Sequence, residues 1–144
     1  VIISAIFFNL INGFINGYYI GNILDFPITH LYSIKFLFGF IILILGVTIN
    51  IMSDKVLIQI KNQNIGYQIP TGGLYRYIAC PNYLGEIIQW IGFAIMTWSF
   101  PSLLFAIWTM ANLIPRANAH HNWYKQKFKD KYPNNKKAII PFII

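Results

Sequence analysis

The stretch that decides the fold runs over residues 72–130 and opens with GGLYRYIACPNYLGEIIQWIGFAIMTWSFP, residues 72–101. It continues to RANAHHNWYKQKF, residues 116–128. Two long apolar segments carry a few polar and ionisable side chains. Ionisable groups at membrane depth cost free energy and mark binding or reaction sites. The sequence therefore predicts a pair of helices that holds a site, with the rest of the chain as its scaffold.

The composition of the whole chain favours a membrane location. Of its 144 residues, 56% are hydrophobic and only 10% are charged, well below the charged share of an ordinary soluble domain. The net charge of +7 comes largely from lysines in the tail, as expected beside the cytosolic membrane surface. A membrane-embedded body argues against nucleic-acid binding. One cysteine and three histidines, of which only two are neighbours, predict no metal site.

Four apolar segments are long enough to cross a bilayer, which takes about 20 residues as a helix. They cover residues 1–24, 34–53, 74–98 and a run that begins at Leu103. We therefore predict an all-α, polytopic membrane helix bundle that forms one domain over residues 1–144 and has no strands. Glycines at every fourth position of the first segment predict a face that another helix approaches closely. These glycines are Gly13, Gly17 and Gly21.

The distribution of Lys and Arg predicts the orientation, since basic residues concentrate on the cytosolic side. The connections 25–33 and 99–102 carry no Lys or Arg, whereas residues 54–80 and the tail are basic. We expect residues 54–80 and the C-terminus to face the cytosol. Polar side chains from three helices then lie at one depth, in the cytosolic half of the membrane.

These polar side chains predict a binding pocket. Four of them follow one another at intervals of four on the last helix, and this spacing places them on one face. They are Asn112, Arg116, His120 and Tyr124. The second and third helices contribute amides, carboxylates and a lysine. They are Asn50, Asp54, Lys61, Asn82 and Glu86.

The chemistry of this set suits a large polar ligand that bears phosphates. A planar guanidinium favours bidentate phosphate binding, and carboxylates accept hydrogen bonds from ribose hydroxyls or a carboxamide. Deeper aromatic side chains form a wall that suits a lipophilic substrate. They are Trp90, Phe105 and Trp108. The alternative is an interhelical salt bridge of Arg116 with Glu86 or Asp54 that only holds the bundle together, because intramembrane charges commonly pair.

Four blocks of the sequence resemble the C-terminal half of the steroid 5α-reductase family. They are GVTINIMSD (46–54), IPTGGLYRYIACPNYLGEIIQWIGFAIMTWSFP (69–101), PRANAHHNWY (115–124) and KKAIIPFII (136–144). The likeness extends over the whole chain, in order. It implies a seven-helix membrane fold of the endoplasmic reticulum, of which this chain holds the last four helices. It also implies reduction of the Δ4 double bond of 3-oxo steroids with NADPH.

The resemblance implies roles residue by residue. The positions that match NADPH contacts are Asn50, Asp54, Lys61, Asn82, Glu86, Arg116, His120 and Tyr124. The positions that match the steroid-facing wall are Trp90, Phe105 and Trp108. Lys61 stands where relatives usually have Arg, so its phosphate contact is expected to be less bidentate. The catalytic Glu and Tyr of the family match no position of this chain and belong to the N-terminal half. We therefore expect the 144 residues alone to be inactive or nearly so.

Three other functions stay open from the residues. A related membrane reductase acting on a trans-2-enoyl-CoA or a polyprenol would share the cofactor half. A membrane methyltransferase of the isoprenylcysteine or phospholipid type, which uses S-adenosylmethionine, has a helix start similar to YRYIACPNYLG. His120 and His121 after Arg116 argue against it, because those enzymes follow their arginine with paired glutamates. A structural membrane fragment without a ligand is the non-enzymatic alternative.

Overall fold

The computed structural model describes residues 2–24, 26–63, 66–141 and 143. Its four α-helices are α1 Ile2–Tyr18, α2 Ile34–Asn62, α3 Pro81–Thr97 and α4 Phe100–Phe128. Shorter elements are a π-helical turn Tyr19–Ile23 and 3-10 helices Ile28–Tyr32, Gly73–Arg76 and Lys129–Lys131. The described residues contain no strand beyond one isolated bridge, so the all-α prediction is confirmed. Asp25, in the first predicted connection, lies outside the described residues.

Local signals set the helix starts. The Ser33 hydroxyl accepts a hydrogen bond from the backbone N–H of Phe36 and caps α2. Pro81 opens α3, where its missing N–H is not needed. Residues 74–80, predicted as part of the third span, instead form a 3-10 turn and a loop. The reason is that Gly72 and Gly73, with φ of 92° and 50°, turn the chain just before.

Glycines join α2 to α3 backbone to backbone, forming the main helix–helix interface. Gly46 lies against Gly85, and Gly39 lies against Gly92. In each helix the two glycines are seven residues apart, which returns them to nearly the same face. A Cβ added at Gly46 would come within 2.3 Å of the Gln89 backbone nitrogen. No side chain larger than hydrogen fits at this crossing.

The predicted close approach of another helix to the glycines of α1 does not occur among the described residues and stays a prediction. A Cβ built at Gly13, Gly17 or Gly21 would meet nothing within 4 Å among the described residues. Spacing alone puts glycines on one face but does not specify which face receives a partner. In the described part of the chain, α1 instead joins the bundle through the side chain of Asn16, which accepts a hydrogen bond from the Ser102 hydroxyl at 2.8 Å.

The helices differ in how well they could cross a membrane. By length and composition, α2 is the one described helix that could do so, with a mean hydropathy of 2.4 in its most apolar window. The 17 residues of α3 extend only about 25 Å, and the regular part of α1 is equally short. The second half of α4 is polar. Crossing by α1, α3 and α4 therefore remains a prediction.

Residues 132–139, which we call the C-terminal strap, pack against the loop before α3. The backbone N–H of Ala79 donates to the backbone carbonyl of Lys137 at 2.8 Å. The backbone N–H of Lys137 donates to the backbone carbonyl of Tyr77 at 2.9 Å. Lys136 is only 3% exposed, and its ammonium donates to the Pro70 carbonyl at 3.2 Å. The sequence predicted a tail whose lysines lie beside the membrane surface. That location stays a prediction, but the Lys136 side chain turns into the protein, where burial lowers its pKa.

Replacing Ile139 with alanine tests the strap. Ile139 is 1% exposed, so truncation should lower the free energy of unfolding by about 2–4 kcal/mol through lost apolar contact and the cavity left behind. Ile143→Ala is the matched control, because that side chain is 73% exposed and should change stability little. Thermal unfolding in detergent micelles measures both. Equal unfolding temperatures for the two variants would contradict a packed strap.

Candidate active site

The glycine crossing brings the polar stretch of α2 against the start of α3. A Cβ at Gly85 would lie 2.5 Å from the backbone nitrogen of Asn50, so the two helices touch at this level. The Asn50 side-chain amide donates to the backbone carbonyl of Asn82 at 3.0 Å. Asp54 follows one turn later on α2, half-buried. Helix α2 continues to Asn62, beyond the predicted end at 53, and carries Lys61 on the same continuous helix.

Three charged side chains from three helices interact electrostatically beside this contact. Glu86 on α3 has an electrostatic interaction with Asp54 on α2 and another with Arg116 on α4. Among the described residues, however, no ion pair within 4.0 Å joins Arg116 to either carboxylate. The interhelical salt bridge considered from the sequence is therefore not formed. The guanidinium is exposed, and the donors that it does not give to Tyr83 are available to an anion.

Tyr83 links the charged cluster to the histidine of α4, and the sequence analysis missed it. Its hydroxyl lies 3.4 Å from Nε2 of His120, and it also hydrogen-bonds with Arg116. Tyr83 precedes Glu86 by three residues on α3, so both lie on one helix face. That spacing was the available signal. Arg116 and His120 thus share a partner, as expected for residues four apart on α4.

Tyr124 and Lys61 lie at a second part of the site. Both line a cavity of about 570 Å³ whose other wall is the loop before α3, including Gly66, Tyr67 and Gln68. The Tyr124 ring stacks on Tyr132 of the C-terminal strap, with centroids 5.7 Å apart. The predicted cofactor residues are therefore divided between a charged cluster at the α2–α3–α4 contact and this loop cavity.

The predicted apolar wall is formed in part. Trp90 and Phe105 meet edge to face, with ring centroids 4.3 Å apart, and line a cavity of about 540 Å³ between α1 and α3. Trp108 does not line it. Its ring, 54% exposed, tilts against Phe8 of α1, which in turn stacks on Phe105. The cavity is also lined by side-chain amides from α1 and α3. They are Asn9, Asn12, Asn16 and Gln89.

The two regions adjoin through α3, because Glu86 and Trp90 are one turn apart on it. A polar cluster with an available guanidinium and carboxylates is thus next to an apolar, aromatic cavity. This arrangement can hold a phosphate-bearing molecule beside a lipophilic one. The described residues offer no group of three or more His, Cys, Asp or Glu side chains able to hold a metal ion.

Cys80, the residue before α3, is expected to be chemically inert in the folded protein. Burial raises the pKa of its thiol to about 12, and the Lys136 ammonium, which lowers it, offsets only part of the shift. The reactive thiolate is then nearly absent at pH 8, whereas in an unfolded chain the thiol has its ordinary pKa. Maleimide at pH 8 should label Cys80 only after denaturation. Rapid labelling of the folded protein would show that the strap does not cover it.

Comparison with known proteins gives one consistent result. A family model described as 3-oxo-5-alpha-steroid 4-dehydrogenase matches residues 1–144. A steroid 5-alpha-reductase of Solanum lycopersicum is 43% identical over 143 residues, covering 99% of this chain and 56% of the relative. The 3-oxo-5-alpha-steroid 4-dehydrogenase 2 of Homo sapiens is 45% identical, covering 92% of this chain and 52% of the relative. The chain spans about half the length of the curated relatives it matches.

Proposed function

Because this chain belongs to the 3-oxo-5-alpha-steroid 4-dehydrogenase family, we propose that it is the cofactor-holding part of a membrane reductase. Its reaction is the NADPH-dependent reduction of the C=C bond of a lipophilic enone, with the Δ4 bond of a 3-oxo steroid as the preferred substrate. The observation that supports this most directly is the charged cluster. Asp54, Glu86 and Arg116 interact electrostatically from three helices but form no ion pair with one another in the described part of the chain, so each has hydrogen-bonding capacity for a ligand.

The cluster residues fit a dinucleotide by their donor and acceptor types. Arg116 would bind phosphate, for which a guanidinium fork is suited. Asp54 and Glu86 would accept hydrogen bonds from ribose hydroxyls or the carboxamide, while Asn50 and Asn82 hold the helix crossing beside them. When bound, NADPH supplies the hydride that reduces the double bond. His120 and Tyr124 would complete the α4 face of the pocket.

Lys61 would hold an anionic group in the loop cavity that it shares with Tyr124. The described residues that line this cavity include no carboxylate, so its charge is positive. Lysine is a point charge on a flexible stem and does not form the planar fork of arginine. Substituting Lys61 with arginine should therefore preserve or strengthen cofactor binding rather than weaken it.

Trp90 and Phe105 would form the wall against which the lipophilic substrate packs, with Trp108 behind them through Phe8. We place the groups that polarise the enone carbonyl outside these 144 residues. Such groups stabilise the negative charge that develops on the carbonyl oxygen. We further propose a multi-pass location in the endoplasmic reticulum membrane, with the C-terminus cytosolic so that the pocket opens toward soluble nucleotide.

Reduction assays on the natural protein in membranes test the function. With NADPH, the expected result is conversion of a 3-oxo-Δ4 steroid to its saturated product, and slower or no turnover of a trans-2-enoyl-CoA or a polyprenol. A thermal shift with NADPH but none with S-adenosylmethionine distinguishes the reductase from a methyltransferase. Stabilisation by S-adenosylmethionine alone, or turnover of only the enoyl-CoA or the polyprenol, would overturn the assignment.

A further inference from the structure

The cavity next to Trp90 and Phe105 has a polar edge made of side-chain amides. Asn9 and Asn12 come from α1 and Gln89 from α3. The Asn12 amide donates to the Phe8 carbonyl at 3.0 Å, which leaves its side-chain oxygen free to accept. The side-chain amides of Asn9 and Gln89 form no hydrogen bond with any other described residue. Three amides with unused hydrogen-bonding capacity therefore line one cavity.

Asn16 also lines this cavity, but its side-chain nitrogen and oxygen both form hydrogen bonds within the protein. Its Nδ2 donates to the Asn12 backbone carbonyl at 3.0 Å, and its Oδ1 accepts from the Ser102 hydroxyl at 2.8 Å. Ser102 also bonds with Thr97 and Ser99, so this buried hydroxyl cluster is satisfied internally. Asn16 therefore joins helices, while Asn12 and Gln89 have spare capacity directed at the cavity.

The unpaired amide atoms can be reached from the cavity, because the described residues contain no buried side-chain nitrogen or oxygen that lacks a hydrogen-bond partner. The remaining lining is mostly aromatic and aliphatic, including Leu43, Phe93 and Phe105. A volume of about 540 Å³ lies in the range of small-molecule sites, which are largely apolar with a few polar groups that fix orientation. The occupant that fits is a rigid lipophilic molecule with an oxygen atom within reach of the amides.

We propose that Gln89 and Asn12 recognise a second oxygen on the lipophilic substrate, distinct from the enone carbonyl, and so determine specificity. The side-chain NH₂ of Gln89 donates to this oxygen, whether it is a hydroxyl or a ketone, and the Asn12 side-chain oxygen accepts from a hydroxyl. The inference rests on the proposed function and narrows its substrate class to enones oxygenated at the far end. Asn9 extends the same polar edge.

The experiment compares two 3-oxo-Δ4 steroids that differ at one position of ring D, one with a hydroxyl and one with a hydrocarbon group. The natural protein in membranes is assayed for kcat/KM with each. Gln89→Met, nearly isosteric, should lower the hydroxyl-to-hydrocarbon ratio of kcat/KM about five- to tenfold, and Asn12→Leu should lower it in the same direction. Asn22→Leu is the matched control, because Asn22 makes the same bond to the carbonyl four residues earlier but does not line the cavity.

The outcomes distinguish failure of this inference from failure of the proposed function. An unchanged ratio with lower thermal stability would overturn it, since the amides would then serve packing against protein. Equal losses for both steroids would also overturn it, because the amides would act on the enone carbonyl that both share. If the unmodified protein reduces neither steroid, the proposed function fails. Active protein with unaltered selectivity in the variants refutes only the role of Gln89 and Asn12.

Discussion

Replacing Gly46 with alanine is expected to lower the free energy of unfolding by about 3 kcal/mol, the upper part of the range for overpacking. The added methyl group would approach the Gln89 backbone nitrogen to 2.3 Å and the Gly85 carbonyl oxygen to 2.6 Å. Neither atom belongs to a side chain that could rotate away, so α2 and α3 would have to separate. Denaturant or thermal unfolding in detergent measures the loss.

Gly13→Ala supplies the matched control for the helix crossing. Gly13 is also a helical glycine, but a Cβ there meets nothing within 4 Å among the described residues. Alanine favours helix over glycine by up to about 1 kcal/mol, so this variant should be neutral or slightly stabilised. If Gly46→Ala were as stable as Gly13→Ala, the close crossing of α2 and α3 would be refuted.

The helical content was predictable because long apolar runs, Ser33 before α2 and Pro81 before α3 are local signals. Boundaries were less predictable. Helix α2 extends nine residues past its predicted end at 53, since the apolar run stops there while the backbone hydrogen bonding continues through a polar turn. Conversely, the 3-10 turn before α3 depends on positive φ at Gly72 and Gly73, which composition alone did not reveal.

Tertiary partners were beyond a single sequence. Gly13 and Gly17 have the spacing of a packing motif, yet among the described residues the close contact is made between α2 and α3, where Gly46 lies against Gly85 and Gly39 against Gly92. The buried Lys136 was hidden for a similar reason. In sequence it is one more lysine of a basic tail, and only the strap pairing places it under Tyr132 and against the Pro70 carbonyl.

The candidate site was predictable where one helix carries it. Spacing by four put Arg116 and His120 on one face of α4, and both lie near Tyr83. Residues on different elements were harder to place. Trp108 shares α4 with Phe105 and was assigned to the same wall, because residues three apart lie on nearly the same helix face. Its ring packs against Phe8 of α1 instead of lining the cavity, a tertiary contact that spacing does not predict. No role was predicted for Gln89, because a single amide next to Trp90 matches no known sequence motif.

Arg116→Ala is the functional prediction with the largest expected effect, a rise in the Kd for NADPH of about 10- to 100-fold. A charge-assisted hydrogen bond contributes about 1.5–3 kcal/mol, and the exposed guanidinium has no carboxylate partner within 4.0 Å among the described residues to reduce that contribution. Arg116→Lys should recover only part of the loss, because lysine cannot form two parallel bonds to a phosphate. NADPH titration monitored by thermal shift gives both values.

Arg76→Ala is the control for Arg116, because Arg76 lies in the 3-10 turn beside Tyr77 and lines neither of the two cavities of the candidate site. Its loss should leave the Kd for NADPH unchanged. Equal weakening by both substitutions would mean that the protein attracts NADPH only through its general positive charge. Since general attraction is screened by salt, repeating the titration at high ionic strength decides the matter. If Arg116 contacts NADPH directly, Arg116→Ala should still raise the Kd at high ionic strength. If the attraction is only general, the substitution should then change the Kd little.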